Sequence, residues 1–350
     1  MEVTRAGLRV LFIGGTGVIS AAAAERAVAV GHELTVLNRG TTALRPAPGG
    51  VEVLRADVRD AASVRAAVGD RRFDVVANFV AFTPEHVAAD TELFGGRTKQ
   101  YVFISSASAY QKPPARLPIL ESTPLRNPFW RYSRDKIACE DLLAKAYREN
   151  GFPVTLVRPS STYDRTRILL NGGWTDIARM RAGRPVVVHG DGTSLWTVTH
   201  STDLAKALVG LFGLPQVVGD SVTITSDEYL PWNRIYELYA EAAGAPAPQL
   251  VHVASDTIAA AAPQLGPSLL GDRSHSVIFD NSKVKALVPD FVCTTPFAAG
   301  VREAVRWYDA HPDQQRVDAD LDHTFDRLVD AARGRSDTSG TASDDARATS

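Results

Sequence analysis

Cysteine is scarce: Cys139 and Cys293 are the only two in 350 residues. Two cysteines cannot build a disulfide framework, so a reducing compartment is the default. A bias of charge is lacking too, since 38 basic against 40 acidic residues leave a net charge of −2. That balance gives no electrostatic reason to expect nucleic acid or an anionic membrane as a main partner. No apolar run approaches the roughly 20 residues needed to span a bilayer. The N-terminus shows no signal-peptide apolar region or cleavage site. The eight histidines have no ligand spacing such as His-x-x-x-His, which argues against a metal site. No Gly-x-Ser-x-Gly elbow exists, so His200 with Asp203 reads as a helix cap and not as part of a hydrolytic triad. These absences together describe a soluble, cytoplasmic protein whose partner is a small molecule.

What the chain does have is apolar material, 45% of its residues, enough for a sizeable core. Leu8 to Ile13 is continuously apolar, as a strand buried on both faces should be. Glycines follow, then an Ala-rich helical run from Val18 to Val30 that Gly31 closes. Further strands read at Glu33–Leu37, Val51–Leu54, Phe73–Val80, Tyr101–Ile104 and Val154–Val157. Helical runs at Ala61–Val68, Pro84–Phe94 and Tyr132–Asn150 fall between them. This alternation requires right-handed crossovers and a parallel sheet: an α/β Rossmann-type, doubly wound fold. Regularity weakens after Arg158-Pro159. Residues 1–160 therefore read as the dinucleotide-binding domain, with returning segments near 195–225, and 161–330 mainly as a smaller, irregular α/β substrate cap. Residues 334–350 are small, polar and charged, which predicts a disordered tail.

Three short motifs carry chemistry. Gly14-Gly15-Thr16-Gly17-Val18-Ile19-Ser20 lies between the first strand and the first helix. Glycines there permit a tight turn and let backbone approach a pyrophosphate seated on the helix N-terminus. Ser20 replaces the third glycine at a helix-packing position. After the second strand, Asn38-Arg39-Gly40 stands where an acidic residue would hold the ribose of NAD. Arg39 suits a 2′-phosphate, which favours NADP. Arg39 stacked on adenine, with Asn38 on a ribose hydroxyl, would restore NAD. Asp57, after the third strand, holds the adenine edge or caps the next helix. Tyr132 and Lys136, four apart, share one helix face. An ammonium beside a phenol favours the phenolate and brings its pKa toward working pH. Ser105-Ser106-Ala107-Ser108-Ala109-Tyr110 ends the fifth strand, where open α/β sheets bind ligands.

These elements together resemble the extended short-chain dehydrogenase/reductase superfamily, in its NAD-dependent epimerase/dehydratase group. The resemblance runs from about Leu8 to Tyr308. It adds Arg158-Pro159-Ser160-Ser161, Gly183-Arg184-Pro185, His200-Ser201-Thr202-Asp203 and Asp280-Asn281-Ser282-Lys283. It implies Tyr132 as acid/base, Lys136 as its partner and ribose anchor, and Ser106 as the serine that meets the substrate oxygen. It implies a cofactor site of Gly14, Thr16, Gly17, Val18, Ile19, Asn38, Arg39, Asp57, Val58, Asn78, Val80, Ala81, Lys136, Pro159 and Ser161. Ser108, Trp196 and His200 are the expected substrate contacts. Pairing of Pro84–Phe94 and Arg131–Arg148 with their copies would make a homodimer. Ala107 and Ser108 stand where dehydratases carry an acid, which disfavours dehydration. Trp196 stands where sugar-nucleotide epimerases carry a diphosphate-binding arginine, which Arg165, Arg167 or Arg273 would have to replace. The implied activity is NAD(P)-dependent oxidoreduction or epimerisation at a secondary hydroxyl or keto group of a sugar or sugar-nucleotide-like substrate. A ketone reductase using NADPH and a non-catalytic nucleotide- or RNA-binding protein, like the chloroplast stem-loop-binding relatives, are the alternatives.

Overall fold

The computed structural model of the chain describes residues 7–40 and 44–340. The first half alternates strand and helix: β1 (Arg9–Ile13), α1 (Val18–Ala29), β2 (Glu33–Asn38), β3 (Glu52–Arg55), α2 (Ala61–Val68), β4 (Phe73–Asn78), α3 (Pro84–Phe94), β5 (Thr98–Ile104), α4 (Arg131–Asn150), β6 (Val154–Pro159) and β7 (Ser161–Tyr163). There follow α5 (Trp174–Arg181), β8 (Val186–His189), β9 (Leu195–His200), α6 (Ser201–Gly210), β10 (Ser221–Ile224) and β11 (Tyr229–Pro231). The last third holds α7 (Trp232–Ala242), β12 (Leu250–Val253), α8 (Ser255–Ala261), α9 (Gly266–Ser268), α10 (Ser282–Leu287), α11 (Phe297–Ala310) and α12 (Ala319–Gly340).

The chain divides into two compact units. The first runs to Asp164 and adds Thr197–Tyr229 and Val277–Phe297. The second comprises Arg165–Trp196, Leu230–Ser276 and the chain from Ala298 onward. The sequence reading placed returning segments near 195–225; it did not foresee that Val277–Phe297 also belongs to the first unit.

Seven strands form the sheet of the first unit, in the order β10-β6-β5-β4-β1-β2-β3. Every pairing in it is parallel. Alternate residues of each strand feed two cores, which is why these strands read as continuously apolar. Val10, Phe12, Val36, Val75, Ala77, Val102 and Ile104 face α1 and α6, where Ala23, Ala24 and Ala27 keep the packing close. Leu11, Ile13, Leu37, Val76, Tyr101 and Phe103 face α2, α3 and α4. Strand order reverses between β1 and β4, and the carboxyl ends of those strands form the crevice in which such sheets bind ligands.

In the second unit β8 pairs in parallel with β12. Its core gathers Val187, Val253, Ile258 and Leu269 with Leu321, Phe325, Leu328 and Val329 of α12. The buried Arg179 is held by Asp322 at 2.6 Å and Asp326 at 3.0 Å on the same helix. The tail expected from Gly334 needs correction: the backbone stays helical through Gly340. A docked helix is already nucleated, and each added residue gains a backbone hydrogen bond, so a polar stretch prolongs it. Residues 341–350 lie outside the described residues.

Candidate active site

Gly14 leaves β1 with φ +84°, and its amide donates to the Leu37 carbonyl at 2.9 Å. A Cβ on Gly14 would lie 2.5 Å from Val80 Cγ1, and one on Gly15 would lie 2.3 Å from Val36 Cγ1. Only glycine fits either place. Gly17 caps α1, and Ser20 reaches back so that its Oγ accepts from the Gly17 amide at 2.8 Å. The exchange of the third glycine for Ser20 thus supplies a capping bond as well as packing.

This turn opens on a cavity of about 270 Å³ in the first unit. Seven of the residues expected from sequence line it: Gly14, Thr16, Asn38, Arg39, Asp57, Val58 and Val80. Gly40, Arg59 and Phe82 complete the lining and were missed. Asn38 Oδ1 accepts from the Gly40 amide and Asp57 Oδ1 from the Arg59 amide, so each shapes its own turn. Arg59 donates to the Val80 carbonyl at 2.8 Å, with its guanidinium carbon 5.7 Å from the Phe82 ring centroid. Burial lowers the pKa of Arg59, and the charge of Arg39 adds to that. Two cations thus share one cavity. A glycine cradle that a Cβ would fill, a helix N-terminus and paired guanidinium groups fit a dinucleotide.

Other expected cofactor residues do not line this cavity. Val18 and Ile19 begin α1, and Ile19 packs on the core. Pro159 ends β6 and Ser161 begins β7. Asn78 was expected to line the cofactor, and its amide works internally. Its Oδ1 accepts from the amides of Val80 and Ala81, both at 2.8 Å, and its Nδ2 donates to Asp90 at 2.5 Å. Burial pushes the Asp90 carboxyl up to about 6 against the hydrogen bonds from Tyr101 and Asn78. That knot fixes α3 to β4 and sets the course of the turn, hence the Ala81 carbonyl.

Ala81 matters because of Lys136. Lys136 is 1% exposed, and its Nζ donates to the carbonyls of Ala81 and Ile104, each at 2.7 Å. These carbonyls end the β4 turn and β5, at the crevice. The ammonium lies 4.9 Å from the Phe82 ring centroid, 4.6 Å from Phe103 and 5.9 Å from the half-buried Tyr132. Trp130 packs on Tyr132 with centroids 5.0 Å apart. Burial brings the Lys136 pKa down to about 8.

Ser106 caps a short 3-10 turn, Ala107–Ala109. Its Oγ lies 2.9 Å from Ser108 Oγ, which lies 2.7 Å from Ser133 Oγ on α4. Asn127 ties the parts together. Its Nδ2 donates to the Ser108 carbonyl at 2.8 Å, while its Oδ1 accepts from the Phe129 and Trp130 amides at the start of α4. Behind Ser106, Ser105 donates to the buried Glu140, which also takes the Arg158 guanidinium at 2.6 Å. Neither Ser133 nor Glu140 was singled out from sequence. The face shared by Tyr132, Lys136 and Glu140, four residues apart each time, was the available signal.

The remaining expected substrate contacts, His200 and Trp196, are both buried. His200 is buried and caps α6, with Nδ1 2.8 Å from Thr202 Oγ1. Trp196, in the second unit, is 3% exposed and stacks on Trp232 at 4.4 Å. Arg273, named from sequence as a replacement arginine, lies with its guanidinium carbon 5.4 Å from the Trp196 ring centroid. Among the described residues no cluster of His, Cys, Asp and Glu is built to hold a metal ion.

The sequence pattern of one known family, described as "NAD dependent epimerase/dehydratase family", matches residues 10–220, more than half of the chain. The chain belongs to the NAD dependent epimerase/dehydratase family. It is 28% identical over 246 residues to 2'-dehydrokanamycin reductase of Streptomyces kanamyceticus, covering 68% of each chain. It is 27% identical over 256 residues to the chloroplast stem-loop binding protein of 41 kDa b of Arabidopsis thaliana, covering 70% of this chain and 65% of that one. Among solved structures, the epimerase Mth375 of Methanothermobacter thermautotrophicus superposes with a TM-score of 0.71 at 15% identity, over 89% of this chain and 95% of that one. That likeness is one of fold. Membership of the family supports a nicotinamide dinucleotide as the cofactor.

A pH effect follows from Lys136. Its ammonium form empties as pH rises through about 8. In a family enzyme that depends on it, kcat/KM should therefore fall on the alkaline side of about 8, tenfold per unit at the limit. A profile flat to pH 10 would show that Lys136 keeps its proton or is not needed.

Proposed function

We propose that this family member is a nicotinamide-dependent oxidoreductase that reduces a ketone, or oxidises the matching secondary alcohol, on a sugar or sugar-like ring. The observation that carries the reading is Lys136, held by two strand-end carbonyls at the crevice and set beside the Tyr132 ring. Among the described residues its ammonium makes no hydrogen bond to a carboxylate, and the neighbouring group whose anion it would favour is the Tyr132 phenol. The bound nicotinamide would supply or receive the hydride. Tyr132 would donate or accept the hydroxyl proton, Lys136 would favour its phenolate, and Ser106 would hold the substrate oxygen by a hydrogen bond. No carboxylate follows Ser106, since Ala107 and Ser108 fill those places, which disfavours dehydration.

A reductase is favoured over an epimerase by the two guanidinium groups, Arg39 and Arg59, that line the dinucleotide cavity. They suit the 2′-phosphate of NADPH, the cofactor drawn from a reducing pool. The similarity to a reductase of a keto-aminoglycoside agrees with this. The RNA-binding alternative, raised by the chloroplast relative, is disfavoured by the net charge of −2 and leaves Tyr132 and Lys136 without a role.

The test is a panel of a keto-aminoglycoside, UDP-glucose and UDP-N-acetylglucosamine with NADPH and NADH, followed by cofactor absorbance and product chromatography. Turnover of the ketone with consumption of NADPH supports the reading. Interconversion of the UDP-sugars without net consumption would replace it by an epimerase. Arg39→Ala should weaken NADPH roughly ten- to hundred-fold, and NADH far less. Equal losses would restore NAD.

We also propose a homodimer through α3 and α4. On α4, Leu143 belongs to the core and Tyr147 lies over Gly219. Ile137 and Leu142 remain partly exposed on α4. Analytical ultracentrifugation at micromolar concentration should give a dimer near twice the 37.7 kDa chain mass, and a monomer would refute it.

A further inference from the structure

Three serine hydroxyls form a chain that ends at the proposed substrate oxygen. Ser133 is fully buried, and among the described residues its hydroxyl has a single partner, Ser108 Oγ at 2.7 Å. A hydroxyl carries one proton and two lone pairs. If Ser108 donated to Ser133, the Ser133 proton would be buried without an acceptor, the costlier arrangement. Ser133 therefore donates to Ser108. The Ser108 proton then has one acceptor among the described residues, Ser106 Oγ at 2.9 Å. Ser106 Oγ also accepts from the Ser108 amide at 3.2 Å. Both of its lone pairs are thus taken, and its own proton finds no acceptor among the described residues and is left for a bound group.

We propose that Ser133 and Ser108 are positioning residues that make Ser106 a dedicated hydrogen-bond donor to the substrate oxygen. The inference rests on the reading of Ser106 as the serine that meets that oxygen. It narrows the substrate to one whose oxygen gains negative charge at this point, a carbonyl on its way to an alcohol. Donors linked in series polarise one another, so the Ser106 proton is more acidic toward that oxygen than a lone serine's would be. Asn127 fixes the geometry at both ends, through the Ser108 carbonyl and the amides that start α4. No covalent bond forms or breaks in the chain; it supplies direction and polarisation only.

Neutron diffraction from deuterated crystals of the full chain reads the polarity directly and needs no substrate. The expected map places the Ser133 deuteron toward Ser108 Oγ and the Ser108 deuteron toward Ser106 Oγ. The reverse order overturns the proposal. Kinetics on the panel ketone with NADPH reads the consequence. Ser133→Ala and Ser108→Ala should each lower kcat about five-fold, the effect of one weakened hydrogen bond. KM, NADPH affinity and melting temperature should stay near wild type. Full kcat in both variants overturns the proposal, and so does a loss shared by kcat, NADPH affinity and melting temperature, which marks a packing role. Failure of the underlying reading looks different: Ser106→Ala and Tyr132→Phe would then retain turnover.

Discussion

Tyr132→Phe should lower kcat by roughly 10²–10⁴-fold and leave NADPH affinity within about two-fold of wild type. The substitution removes one oxygen and keeps the ring, so the packing on Trp130 and the neighbouring Phe82 survives. What it removes is the group that Lys136 is proposed to charge. Stopped-flow absorbance at the nicotinamide band, beside a fluorescence titration of NADPH, separates the two quantities. Retained turnover would sink the mechanism. A parallel loss of NADPH affinity would make Tyr132 a cofactor contact instead of the acid/base. Lys136→Ala should differ in kind. It leaves the Ala81 and Ile104 carbonyls without their buried donor, so cofactor affinity and stability should fall together with turnover.

Arg158→Ala should cost about 3–5 kcal/mol of unfolding free energy, measured by urea denaturation. The side chains of Arg158 and Glu140 are 7% and 3% exposed and meet at 2.6 Å. Removing the guanidinium strands a carboxylate in the core between β6 and α4. Burial acts to lower the Arg158 pKa, and the Glu140 hydrogen bonds and charge outweigh it and raise it. Arg158 also donates to Tyr110 Oη at 3.1 Å, and Tyr110 is 2.6 Å from Thr223 Oγ1, so the damage should reach β10. Replacing both charges, as in Glu140→Gln with Arg158→Met, should recover most of the loss, because no lone charge then remains buried. A cost below about 1 kcal/mol for Arg158→Ala would mean that water or another cation reaches Glu140. Activity should fall as well, since Ser105, one residue before Ser106, donates to the same carboxylate.

The sequence by itself determined the first unit's alternation of strand and helix, the glycine turn and the shared helix face of Tyr132 and Lys136. Each of these is written within a few residues. A strand buried on both faces is continuously apolar, a tight turn needs glycine, and a spacing of four is one helical turn. Most of the lining of the cavity beside the glycine turn was legible for the same reason, because it follows strand ends in order. Arg59 and Phe82 escaped because nothing local marks an arginine or an exposed phenylalanine as facing a cavity. The partnerships were decided by the tertiary structure. Lys136 finds its acceptors 55 and 32 residues away, and Ser108 meets Ser133 across 25. Those meetings depend on strand register and on the path of the loop that Asn127 pins. The second unit shows the same limit. Trp196 reads as a ring offered to substrate, and only packing shows that Trp232 and Arg273 cover it. The helix through Gly340 is likewise a tertiary outcome, since its apolar stripe at Leu321, Phe325 and Leu328 gains stability only by docking against Val187 and Val253.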